Sequence, residues 1–289
     1  MNYKNLVEVN GTHLNVYTEG KGDITIVFMS GNGVTLPVLE YKPIYRRMSD
    51  RYRIAVIEKA GYGFSGSKTT ERTVENLVAE DREALAKAGI APPYVLAAHS
   101  YSGFEAVYWA NTYPDEVKAV LSMDMAIPDT AIAQSRELPE EKRRVMIQKQ
   151  QKLIHKVSKG GILTKLMKNK LENATGLMSG NELTEDEKAV YKEYFYKNLA
   201  HKEYADEALL LFDNAVKVNK TGALKCHCCF FISDMKLPVK HVSWKQEGID
   251  YAEKCGGEVH VSDKGHMMYA FIPDEMADTF RKFLSSNQI

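Results

Sequence analysis

The chain has 289 residues, enough for one large α/β domain with an insertion or for two small domains. Hydrophobic residues make up 44% and charged residues 26%, and 38 Lys+Arg balance 38 Asp+Glu, so no basic excess points to nucleic acid or an anionic membrane surface. Met1 to Asn5 hold no apolar signal-peptide core, no apolar run nears the roughly 20 residues of a membrane span, and four cysteines read as reduced thiols of a cytoplasmic protein.

A hairpin is expected first, Leu6 to Val9 and Leu14 to Thr18 turning at Asn10-Gly11. Ile24 to Met29 is a buried strand ending in Ser30-Gly31-Asn32-Gly33, a loop no helix tolerates. A helix is expected over Val38 to Met48, a strand over Arg53 to Ile57, and a helix over Thr73 to Ala88 with Leu77, Val78, Leu85 and Ala88 on one face. Tyr94 to Ala98 is a strand, Gly103 to Asn111 a helix, and Val117 to Met123 a strand. Strands alternating with helices imply right-handed crossovers and an α/β fold with a mostly parallel open sheet flanked by helices.

From Pro128 to Thr221 the pattern is charged and helical, without a convincing strand. Thr184 and Glu187 form a capping box, followed by an amphipathic helix through Val190, Tyr191, Tyr194 and Phe195. Gly160-Gly161, Gly176 and Gly180-Asn181 divide the stretch into about four helices. Strands return at Cys226 to Ser233 and Glu258 to Ser262, and Pro273 to Ser286 closes the chain as a helix with Met276, Phe280 and Leu284 inward. The expected organisation is a core of residues 1–127 and 222–289 with a helical lid, 128–221, over the sheet edge where such folds bind ligands.

The stretch from Val95 to Gly103 carries the chemistry. An apolar run ends in Ala98-His99-Ser100-Tyr101-Ser102-Gly103 and a helix follows, which puts Ser100 at the tip of a strand-turn-helix. Small residues must flank such a tip, because strand and helix nearly touch there, and Ala98 and Ser102 are small. A serine hydroxyl needs an adjacent base, and the base an orienting acid. His266, in a glycine-containing loop after the last strand, is the candidate base, and His241 is the other contender. Two aspartates at strand ends, Asp124 and Asp234, both give the order Ser, Asp, His. Asp124 is favoured, because Asp234 comes too early in its loop and the later position holds Lys236. The oxyanion needs two N–H donors, expected from the backbones of Tyr101 and Asn32.

Together these elements resemble the α/β-hydrolase superfamily. Ser30 to Gly33 is similar to its oxyanion loop, Ala98 to Gly103 to its nucleophile elbow, and Lys264-Gly265-His266 to its catalytic-histidine ending. The run from Glu58 to Ser65 resembles its Asp-x-x-Gly-x-Gly-x-Ser turn, with glutamate for aspartate. The resemblance covers all but the lid. It implies a serine hydrolase without cofactor, and in some members, including haloalkane dehalogenases, the acid follows the earlier strand, as Asp124 would. Those dehalogenases and the epoxide hydrolases use an aspartate nucleophile, so Ser100 speaks against both chemistries.

Two other patterns carry less. Gly61-x-Gly63-x-x-Gly66 matches a dinucleotide fingerprint but follows the wrong strand and opens no helix. Cys226-His227-Cys228-Cys229 lacks a second ligand cluster, so buried thiols are expected rather than a metal. The expected activity is hydrolysis of a small to medium apolar ester or lactone, with a small molecule as the partner. A peptidase, thioesterase or C–C hydrolase would use the same residues, and a small-molecule receptor on this scaffold is the rival outside catalysis.

Overall fold

The computed structural model describes residues 2–159, Thr164 and 175–289. Eight strands form one sheet in the order β1-β2-β4-β3-β5-β6-β7-β8. They are β1 (Leu6–Val9), β2 (Thr12–Glu19), β3 (Thr25–Met29), β4 (Arg53–Glu58), β5 (Tyr94–Ser100), β6 (Val117–Met125), β7 (His227–Ser233) and β8 (Glu258–Ser262). β1 and β2 form the expected hairpin, β2 runs antiparallel to β4, and every other neighbouring pair is parallel. This is the α/β-hydrolase fold, and the parallel part is covered on both faces as such sheets must be.

Alternation along each strand divides the core. Leu96 and Ala98 of β5, with Phe230 and Ile232 of β7, pack on one side against α3 (Val74–Lys87), α4 (Ser102–Thr112) and α9 (Trp244–Lys254). Val95, Ala97 and Phe231 face α2 (Lys42–Met48) and α10 (Pro273–Ser286), where Met276, Phe280 and Leu284 are fully buried. The helix expected over Val38 to Met48 is instead two, α1 (Pro37–Glu40) and α2. Pro43 has no N–H to return to Leu39, so the ladder breaks and Tyr41 caps both pieces.

Between β6 and β7 the described residues hold α5 (Pro128–Glu137), α6 (Glu140–Ser158), α7 (Glu185–Asn198) and α8 (Lys202–Asn219). Thr184 and Glu187 make the capping box in both directions. Gly160-Gly161, expected as a helix break, lies outside the described residues. No helix among the described residues is long and apolar enough to cross a membrane.

Candidate active site

β5 and β6 reach further than their apolar runs, because a register shift pairs Ser100 with Met125 and Ala126 N–H then donates to Ser100 O at 2.7 Å. Ser100 has φ +53° and Asp124 φ +62°, left-handed positions that cost non-glycine residues energy and that sit at the C-terminal edge of neighbouring strands. The turn after Ser100 is knitted by Ser102, whose hydroxyl donates within reach of Met29 O and His99 O at 2.9 Å and accepts from His99 N–H. Ser102 is therefore more than a small residue: it ties the tip of β5 to the end of β3. A Cβ at Gly103 would lie 2.1 Å from Ala126 O, and one at Gly31 would lie 2.6 Å from the Ser100 Cβ. Glycine at these two places lets α4 and the loop after β3 close on the turn.

Asp124 is 1% exposed and accepts four hydrogen bonds. Ser233 N–H and Trp244 Nε1–H reach its Oδ1 at 2.8 Å, while the Ser233 hydroxyl and His266 Nδ1 reach Oδ2 at 2.6 Å. A carboxylate can only accept, so the proton of a neutral His266 sits on Nδ1 and Nε2 is left as its basic nitrogen. The Trp244 ring stands edge-on to the His266 ring at 5.5 Å. Asp234, the alternative acid, is exposed, and no hydrogen bond connects it to His266. His241 is exposed on the loop before α9. His99, next to the serine, points away from it into the core. Its Nε2–H donates to His266 O at 3.2 Å, so its Nδ1 accepts from the Tyr41 hydroxyl at 3.3 Å, and that oxygen accepts Gly31 N–H. Burial, with the facing His266 ring adding to it, holds the His99 pKa well below the usual histidine range.

Ser100 and His266 line one cavity of about 370 Å³ with Asn32, Tyr101, Phe104 and Trp244, and α5, α6 and α8 supply its far wall. No hydrogen bond joins the Ser100 hydroxyl to His266, both of which face the cavity. Among the described residues no acceptor takes up the backbone N–H of Asn32 or Tyr101. The Asn32 side chain is spoken for: its Nδ2 donates to Tyr204 O at 2.9 Å and to Glu207 Oε2 at 3.4 Å.

Glu207 of α8 heads a buried charge network that the sequence reading missed. It accepts from Arg72 (3.0 Å), the Tyr62 hydroxyl (2.6 Å) and Lys59 (3.3 Å), while Lys59 also reaches Glu105 at 2.8 Å and Arg72 reaches Glu80 at 2.9 Å. Burial alone would raise the Glu207 carboxyl, but Lys59 and Arg72 outweigh it and hold it below the usual carboxylate range. Tyr41 and Trp244 were also missed. Polar partners so far apart in the chain leave no periodic trace.

The glycine run after β4 encloses a carboxylate of the protein itself. Glu58 accepts from Phe64 N–H at 2.7 Å, Asn15 Nδ2 at 3.0 Å and Val38 N–H at 3.2 Å, and burial pushes its pKa up to about 7. On β7, Cys228 and Cys229 are buried free thiols. Cys229, Glu258 and His260 place one donor atom each within 4.8 Å of one another. Burial pushes the Cys229 thiol well up, however, and His260 Nε2 is already engaged by Glu258 at 2.6 Å, so the thiolate a metal would need is disfavoured.

No protein-family model matches the chain. It is 29% identical to the uncharacterized protein YbdG of Bacillus subtilis strain 168, over 96% of this chain and 85% of that protein. It is 28% identical to 2-(acetamidomethylene)succinate hydrolase of Mesorhizobium japonicum, over 41% of each chain. Among solved structures, the enol-lactonase of Burkholderia xenovorans LB400 superposes with a TM-score of 0.69 at 16% identity, covering 97% of this chain and all of that one. A candidate epoxide hydrolase from Pseudomonas aeruginosa gives 0.70 at 16% identity, covering 98% and 95%. At these identities the structural likeness establishes the fold.

Proposed function

We propose that the protein is a serine hydrolase that cleaves a small to medium carboxylic ester or lactone through Ser100, His266 and Asp124. The observation that carries this reading is the 2.6 Å bond from His266 Nδ1 to a buried, fourfold-bonded Asp124, with a left-handed Ser100 on the same cavity wall. His266 Nε2 takes the Ser100 proton as Oγ attacks the carbonyl. Asp124 stabilises the resulting imidazolium, and the free N–H groups of Tyr101 and Asn32 receive the oxyanion. The imidazolium then protonates the departing alcohol. Water, deprotonated by His266, attacks the acyl-enzyme and releases the acid and Ser100.

Residues 128–221 act as a lid on a core of 1–127 and 222–289, shaping the cavity through α5, α6 and α8. Ser100 in place of a carboxylate speaks against epoxide and haloalkane opening. The partial likeness to an amide-named hydrolase and the fold shared with an enol-lactonase are in keeping with acyl transfer. Free thiols suit a cytoplasmic setting. The test is a panel of p-nitrophenyl esters of rising acyl length with Ser100→Ala alongside. Hydrolysis that falls by several orders of magnitude in the variant upholds the reading. An equal rate removes Ser100 as nucleophile, and slow turnover with tight product retention would mark a receptor.

A further inference from the structure

Among the described residues the cavity wall carries two cations, Arg143 and Lys236, and no carboxylate side chain. Arg143 on α6 is half-buried, stacked with its guanidinium carbon 3.8 Å from the centre of the Phe212 ring, and its Nη1 donates to Leu138 O at 2.8 Å. Stacking and that one bond fix the plane of the group. Its Nε and Nη2 donors have no acceptor among the described residues, and no ion pair engages it. A guanidinium held in this way, with donors to spare, matches the two oxygens of a planar anion. The rest of the cavity wall is apolar or uncharged: Leu138, Ile147, Leu211 and Phe212, with Gln134 and Gln151.

We infer that the cavity is built for a substrate with a free carboxylate at the end remote from the scissile bond, with Arg143 as its anchor. This rests on the serine-hydrolase reading and narrows its substrate to half-esters of dicarboxylic acids or lactones bearing a carboxylate. A carboxylate fits better than a phosphate dianion, because one fixed guanidinium in a largely apolar wall balances a single charge.

The test compares the p-nitrophenyl half-ester of glutaric acid with p-nitrophenyl valerate, near-isosteres that differ in the terminal carboxylate. The native protein should favour the half-ester in kcat/KM by roughly 10- to 100-fold, the range for hydrogen bonds to a charged partner. The preference should collapse toward unity in Arg143→Gln, mainly through KM, and return in part in Arg143→Lys. Equal kcat/KM for the two esters in the native protein, or a preference that survives Arg143→Gln, overturns the inference. Calorimetry of glutarate against Ser100→Ala separates it from the hydrolase reading. If neither ester is cleaved, that reading fails. Glutarate binding that weakens at least about tenfold on adding Arg143→Gln still upholds the anchor. Absence of binding, or tighter binding of inorganic phosphate, overturns it.

Discussion

Replacing Asp124 by asparagine changes one atom and tests the proposed chemistry directly. The new amide can keep its oxygen toward Ser233 N–H and Trp244 Nε1–H, the two donors at 2.8 Å. Its nitrogen then takes the place of Oδ2, facing the Ser233 hydroxyl and His266 Nδ1 at 2.6 Å. Two N–H groups cannot face each other, so His266 must move its proton to Nε2, and a protonated Nε2 cannot accept from Ser100. The imidazolium formed during attack also loses its counter-charge. Two unit charges about 4 Å apart at an effective dielectric near 20 are worth about 4 kcal/mol, and the tautomer change adds about another 1 kcal/mol. Together these correspond to a fall in kcat of roughly 10⁴. The assay is ester hydrolysis at neutral pH, with a thermal melt to show that the variant is folded and Asp234→Asn as control. A folded Asp124→Asn within tenfold of the native rate would refute the reasoning, as would a large loss in Asp234→Asn.

Gly103→Ala should destabilise the protein by about 3 kcal/mol or more, because the new Cβ meets Ala126 O at 2.1 Å, and denaturant unfolding reads the loss. Glu207→Leu leaves the buried cations Lys59 and Arg72 without their shared acid and should cost about 3–5 kcal/mol in the same measurement. The Glu58 carboxyl, ordinarily at 4.5 and pushed up to about 7 by burial, holds a proton in the native state that the unfolded chain releases. Its contribution to stability is therefore present below about pH 4.5 and is lost as pH rises toward 7, by about 3 kcal/mol. The stability of Glu58→Gln relative to the native protein should rise over that window. Parallel pH profiles would show that Glu58 is ionised throughout.

The strands were legible because each buried one is a short apolar run closed by a turn, as in Val95 to Ala98 or Phe230 to Ile232. Helices α3 and α10 were legible from their inward stripes, and the split between α1 and α2 was marked by Pro43, whose missing donor the apolar pattern obscured. The convergence of Ser100, Asp124 and His266 was foreseeable because parallel strands bring their C-terminal ends to one edge. The choice between Asp124 and Asp234 was harder, since both end strands. It turns on Trp244 and Ser233, donors more than 100 residues from Asp124 in the chain, which no local pattern announces. The link from Gly31 through Tyr41 and His99 to His266 is equally silent, being built of single contacts between four segments.

The grip of Glu207 bears on how this scaffold can be recombined. The α8 carboxylate satisfies Lys59, Arg72 and Tyr62 and also holds the side chain of Asn32, so the helices between β6 and β7 are not an exchangeable cassette. A chimera that imports another protein's cassette would inherit two buried cations each short of one carboxylate, and a loosened loop beside the serine. Transplantation succeeds only if those four positions travel with the helix that serves them.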